Sequence, residues 1–235
     1  MKTQHYIPPL GGGTLTLVLL GLCLLTACTS GTPNSTQTPT PTPTHTPQSL
    51  YELATSKSPF LANSLSNSNN RAAYPWPEGT KFGTCLFTGG AYHNIEPTPG
   101  YFHFHSCGPP GVYLRDFVFQ VQMTIVKGDA GGIIIRWNAD LLNDIFVINQ
   151  DGSYELRADL AIIKSGSSSA IKVGLNQSNL IAIAAHGNTL DLFVNKQYIA
   201  SVNDSTQSEG AIGIVAHAIS QPTEVEFRNA MVWTL

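Results

Sequence analysis

Leu180 to Val202 reads LIAIAAHGNTLDLFVNKQYIASV, and this stretch decides the fold. It divides into three runs of mostly apolar residues, separated by the dipeptides Gly187-Asn188 and Asn195-Lys196. Two-residue hairpin loops favour such pairs because both positions can require positive φ. Loops of that length fix the pairing, so Ile183 faces Leu192 and Leu192 faces Ile199. Side chains alternate along a strand, so the register gathers Ile181, Ile183, Ala185, Leu190, Leu192, Val194 and Ile199 on one face. Ala182, Ala184, His186, Asp191, Phe193, Tyr198 and Ala200 take the other. The first face is uniformly apolar, as a sheet in a sandwich requires. The second mixes small residues with two aromatics, an acid and a histidine, a surface able to bind a ligand.

The same period of two recurs on both sides of this stretch. Phe117, Phe119, Val121, Met123 and Ile125 alternate with Val118, Gln120, Gln122, Thr124 and Val126, which reads as a half-buried strand. Gly131-Gly132 leads into Ile133 to Trp137, and Ile145 to Ile148 runs into the turn signal Asp151-Gly152, with Tyr154 to Arg157 as the returning strand. Gly210 to Ala216 and Glu224 to Arg228 follow, and the pattern closes at Trp233. Helical spacing is confined to a turn at Leu50 to Ser56. Many short strands with regular turn signals predict an all-β antiparallel sandwich over residues 49–235, long enough to bury a substantial core.

The first 48 residues follow a different logic. Lys2 precedes an uncharged, Leu- and Gly-rich run from Leu10 to Ala27, the charged and apolar regions of a secretory signal. It closes with Leu25-Thr26-Ala27-Cys28, which resembles the lipobox of bacterial lipoproteins. That resemblance implies cleavage after residue 27, lipidation at Cys28, and anchoring to the extracytoplasmic face of the cell membrane, where several acyl chains hold stably and one does not. Residues 28–48 carry almost no large apolar side chains and cannot bury enough surface to fold. Their Thr-Pro alternation favours polyproline II at ~3.1 Å per residue, a stalk reaching roughly 60 Å.

Charged residues make up 11% of the chain and the net charge is −3, with no basic run, which argues against a nucleic-acid partner. Cys23 and Cys28 belong to the signal, leaving Cys85 and Cys107 as an even pair expected to form a disulfide in an oxidising compartment. Between them lies GGAYHNIEPTPGYFHFHS. If Glu96 to Gly100 is a hairpin loop, His93 lies opposite His103, with His105 further along the same face. Three imidazoles so placed would suit zinc or copper.

From Gly131 to Trp233 the chain resembles bacterial domains of the concanavalin A-like lectin/glucanase class. The carrying residues are GGIIIRW, NQDGSYEL, LDLFVNKQYIASVND, GAIGIVA and EVEFRNAMVW. Laminin G-like modules and the 3-keto-disaccharide hydrolase domain are nearest in pattern. The resemblance implies a jelly-roll sandwich and leaves the ligand open, because one fold hosts many functions. Glucanases of this class carry Glu-x-Asp-x-x-Glu on one strand. The nearest run here is Glu224-Val-Glu226-Phe-Arg-Asn229, in which Asn229 replaces the third acid. Two carboxyls across a scissile bond are the usual requirement of glycoside hydrolysis. Laminin G-like domains bind calcium, which implies oxygen ligands at Asp140 and Asp144. Sugar sites in such sandwiches combine an aromatic platform with nearby polar groups. Arg136, Trp137, Asn138 and Asp140 meet that description where a strand ends in a loop. Tyr154 lies on the next hairpin with Arg157, and Asp191, Phe193 and Tyr198 lie on the mixed face. Trp137 and Phe193 also suit a core, and Arg136 suits a buried pair with an acid. The expectation is non-catalytic glycan recognition, with a sugar hydrolase or a protein-interaction module as alternatives.

Overall fold

The computed structural model describes residues 45–68, 73–138, 143–159 and 161–235. The lipobox, Cys28, most of the Thr/Pro segment and Asp140 lie outside the described residues. The alternation seen in the sequence becomes strand almost throughout. One helix, α1 (Pro47–Thr55), precedes β1 (Leu61–Asn63), β2 (Thr84–Thr88), β3 (Ala91–Glu96), β4 (Phe104–Cys107) and β5 (Tyr113–Leu114). Then come β6 (Phe117–Lys127), β7 (Ala130–Trp137), β8 (Asp144–Asn149), β9 (Ser153–Ala158) and β10 (Ala161–Ser167). The chain ends with β11 (Ser178–His186), β12 (Thr189–Val194), β13 (Gln197–Asn203), β14 (Gly210–His217) and β15 (Thr223–Thr234).

The strands pair antiparallel into two sheets. The back sheet runs β13-β12-β11-β6-β15-β3-β2, with β1 also on β15. The front sheet runs β10-β9-β8-β7-β14-β4, with β5 also on β14. Phe117, Phe119, Val121 and Met123 of β6 meet Ile133, Phe146, Leu156 and Ile214 of the front sheet in one core. This is the antiparallel jelly-roll sandwich expected of the concanavalin A-like class.

In β11–β13 the pairing of Ile183 with Leu192 is as read from the sequence, and Asn195 and Lys196 both take positive φ, 50° and 68°. The third strand departs from expectation. After Phe193↔Tyr198 the ladder slips, so Leu192 faces Ala200 instead of Ile199. Ala200 thereby joins the core, and Ile199 packs only partly buried against it. β13 is an edge strand, where an extra residue disturbs a ladder on one side only.

The mixed face of this meander is covered by α1. Thr46 caps the helix, its hydroxyl accepting from the Ser49 amide at 3.2 Å, and Pro47 suits the first turn, where its missing N–H costs nothing. Tyr51 stacks on Phe193 at 4.5 Å and donates from its hydroxyl to Gln120 Oε1. Ala54, Val118, Ala182, Ala184 and Trp233 complete this second cluster, and Trp233 Nε1 donates to the Lys57 carbonyl at 2.9 Å.

The segment after Glu96 corrects the three-histidine expectation. β3 pairs with β2 and β15 in the back sheet, whereas β4 pairs with β14 in the front sheet, so Glu96 to Gly100 crosses between sheets and closes no hairpin. His93 instead pairs with Glu224 at 2.7 Å on the back sheet. His105 turns inward, with Nδ1 2.8 Å from Asn94 Oδ1. Burial holds the His105 imidazole below its usual range, against the opposing pull of Glu96. Among the described residues the one group with metal-ligand spacing is Cys85, His105 and Cys107. Both of its sulfurs are engaged in the expected Cys85–Cys107 disulfide. That bond, with Cα atoms 6.4 Å apart, staples the β2 edge of the back sheet to the β4 edge of the front sheet.

Candidate functional site

β7 ends in a bulge. Ile134 faces Gly213, but the ladder then slips so that Trp137 faces Ala211, with Arg136 between them at φ 52°. Gly210 allows this approach, since a Cβ there would collide with the Arg136 backbone. The extra residue sends two neighbouring side chains opposite ways. Arg136 turns in and is fully buried, donating to the Gly187 carbonyl, with Nη1 4.0 Å from Asp144 Oδ2. Trp137 turns out and stays half-buried beside Ile134, Ile145, Val147 and Val215.

Across β14, Ala211 pairs on its other side with Tyr113 of β5. A small residue thus separates two aromatic ones, and Tyr113 is 64% exposed. Between them opens a cleft of about 450 Å³, lined by Tyr113, Trp137, Asn138, Ala211 and the Gly108–Gly111 loop. Its size falls within the range of small-molecule sites. Asn138 is held by donation to Gln207 Oε1 at 2.9 Å, so its amide is placed at the cleft.

Trp137 and Phe104 pack against the same cluster on this face of the front sheet. Arg157 stands on β9 and Phe104 on β4, with three strands between them, or about 19 Å along a flat sheet. The Arg157 guanidinium nevertheless lies 5.4 Å from the Phe104 ring and 4.4 Å from the Tyr101 ring. Arg157 is also fixed to Glu155 Oε2 at 2.7 Å. His217 stacks on Phe104 at 3.8 Å, and its Nε2 lies 3.0 Å from the Tyr101 carbonyl. Burial holds His217 below its usual range, against the pull of the Tyr101 carbonyl and nearby carboxylates, with Arg157 a lesser push in the same direction as burial.

Beneath the cleft end, Asp144 is fully buried. Burial first, then the neighbouring Asp204, push its carboxyl up to about 8, with Arg136 opposing. Asp204 accepts from the Thr206 amide and hydroxyl at 3.1 and 2.6 Å. Asp144 therefore keeps its proton at neutral pH, beside the Arg136 guanidinium.

Of the residues singled out from sequence, Trp137 and Asn138 come together at the cleft. Arg136 instead anchors the sandwich end. Tyr154 points into the core against Phe146, at 6.4 Å between rings. Phe193 lies under α1, Tyr198 edges against it at 5.9 Å, and buried Asp191 holds His186 at 2.8 Å. These three belong to the helix-docking face of the other sheet. Glu224 and Glu226 are likewise on the back sheet, engaged by His93 and by Arg228 at 2.5 Å. Tyr113 escaped the sequence reading because β5 spans two residues and offers no alternation to detect. The Gly108-Pro-Pro-Gly111 loop beside it was a signal of irregular backbone only.

No protein-family profile matches the chain, and no curated protein matches it. Among solved structures it is similar to a carbohydrate binding module, CBM66, from Bacillus subtilis, with 16% identity, 65% of this chain and 92% of that one covered, and a TM-score of 0.54. It is also similar to a Bacillus subtilis protein of unknown function with a galectin-like fold, with 11% identity, 76% and 96% covered, and a TM-score of 0.57. Bacillus licheniformis beta-glucanase matches with 10% identity, 74% and 98% covered, and a TM-score of 0.52. At these identities the likeness is one of fold.

Proposed function

We propose that this chain is a non-catalytic carbohydrate-binding module that holds its glycan between Trp137 and Tyr113. The aromatic pair flanking Ala211 carries the reading. Aromatic rings offer apolar faces to the C–H side of a pyranose, and the Asn138 amide beside them suits its hydroxyls. The fold likeness to a carbohydrate binding module supports the same reading. Its non-catalytic part rests on the acids, since Glu224 and Glu226 lie on the opposite sheet and are engaged by His93 and Arg228.

The test is a glycan-array screen of the full chain, followed by titration of the best ligand against Trp137→Ala and Tyr113→Ala. Saturable binding weakened at least tenfold, or about 1.4 kcal/mol, in both variants is expected. Tyr113 is exposed enough that its loss leaves the fold intact. An array without hits, or binding untouched in both variants, overturns the proposal. The same reading includes display at the extracytoplasmic membrane face, on the strength of Leu25-Thr26-Ala27-Cys28 and the Thr/Pro segment after it. Metabolic labelling with palmitate that persists in a Cys28→Ala variant would refute that part.

A further inference from the structure

A separate cavity, of about 500 Å³, opens between the chain entering β2 and the crossover from β3 to β4. No residue lines both this cavity and the Trp137–Tyr113 cleft. Two phenylalanines stand at it with most of their surface in water, Phe82 at 83% exposed and Phe102 at 56%. Both are held by the backbone that carries them. Phe82 keeps φ at 64°, an outlier for a bulky side chain, and an exposed ring recovers little of that strain from packing. Strain of this kind gathers at ligand sites. The next residue, Gly83, packs so tightly that a Cβ there would collide with the His105 imidazole and the Ile95 carbonyl. On the other side the crossover is fastened to the end of β14. The Gly100 amide donates to the Ala218 carbonyl at 2.8 Å, and the Ala218 amide donates to the His103 carbonyl at 3.1 Å. Phe102 sits between those two bonds.

Glu96 supplies the polar side of the cavity. It is only 5% exposed, yet it lines the cavity together with Thr98 and His103. Its Oε1 accepts from the Thr98 amide at 2.9 Å, and its Oε2 accepts from no donor among the described residues. A carboxylate withdrawn this far from water calls for a further donor, which the protein does not supply. The donor would come from whatever fills the cavity. Apolar rings beside a few placed polar groups, in a space of this volume, are the usual make-up of a small-molecule site.

We propose that this cavity is a second sugar site, independent of the cleft, in which Phe82 and Phe102 meet the C–H face of a pyranose and Glu96 accepts from its hydroxyls. The inference rests on the glycan-binding reading of this domain. The two sites differ in their polar group, an amide at the cleft and a carboxylate here, so each has its own preference among sugars.

The experiment screens the full chain on a glycan array in three forms: unaltered, with Trp137→Ala and Tyr113→Ala, and with Phe82→Gly and Phe102→Ala. Sugars still bound by the cleft variant are then titrated by calorimetry. The cleft variant is expected to keep a set of sugars, and adding Phe82→Gly and Phe102→Ala to it is expected to weaken them at least tenfold. Glu96→Gln should weaken the same sugars. Phe82→Gly relieves the positive φ, so its melting temperature should hold or rise, which separates lost binding from lost folding. The third form leaves the core untouched, so its array compared with that of the unaltered chain tests the site even if the cleft variant unfolds. There too a set of sugars should be lost, and an array identical to that of the unaltered chain overturns the second site. A folded cleft variant that binds nothing overturns the second site and leaves the cleft reading standing. Residual binding unchanged by Phe82→Gly, Phe102→Ala and Glu96→Gln does the same. Sugars lost only with Phe82 and Phe102 support this site and overturn the cleft. Silence of the unaltered chain across the array overturns both.

Discussion

Replacing Asp144 with Asn should remove a pH dependence of stability that this one carboxyl imposes. Asp144 has no solvent exposure, and neither of its oxygens accepts a protein hydrogen bond. Burial first, and Asp204 second, raise its pKa from 3.8 to about 8. The shift is opposite to that of a salt-bridged aspartate. Between those two values the folded state keeps a proton that the unfolded state releases, so stability falls as pH rises through the window and levels off above about pH 8. Each unit of that window is worth about 1.4 kcal/mol. Moving from about pH 4 to pH 7 should therefore cost the native protein on the order of 4 kcal/mol through this group alone. An asparagine has no such proton to lose, and its amide can donate toward Asp204. Urea unfolding of both proteins between about pH 4.5 and 8 checks this. Other titrating groups cancel in the difference, which should grow in favour of Asp144→Asn by several kcal/mol as pH rises. A difference that stays flat would refute the reasoning. It would mean that Arg136, 4.0 Å away, holds Asp144 ionised throughout.

Two further predictions concern what holds the sandwich closed. Cys85 and Cys107 are 22 residues apart, so Cys85→Ser with Cys107→Ser should cost about 3.4 kcal/mol by the loop-entropy model. In a domain of this size that is a fall of roughly 10 °C in melting temperature, read by calorimetry, and a change under a few degrees would refute it. Tyr51→Ala should remove the stack on Phe193 and cost about 3 kcal/mol. Hydrogen exchange should then quicken in α1 first, and a helix as protected as before would show that the docking rests elsewhere.

The legible part of the fold was the local part. In β11–β13, alternation and the two turn dipeptides specified strands, faces and most of the register. They act through neighbouring backbone torsions and side-chain direction, which a short window of sequence contains. The bulge at the edge strand was not legible, because it depends on which side of β13 lacks a partner. Nor was the role of the mixed face, since its aromatics read equally as a ligand platform and as a seat for α1.

The candidate site shows the same division. Trp137 and Asn138 were visible as an aromatic and an amide at a strand end, but their partner Tyr113 was not. The two aromatics lie far apart in sequence and meet only because β14 runs between β7 and β5. His93 and His105 were close in sequence but share no sheet face, because the chain changes sheets after Glu96. The sequence by itself determined that this domain is an antiparallel β-sandwich with one disulfide, because side-chain period, turn chemistry and cysteine count are properties of short segments. Only the tertiary structure decided which face is covered and which aromatics flank a cleft. Those depend on the order in which distant strands pair, and burial over the whole domain sets that order.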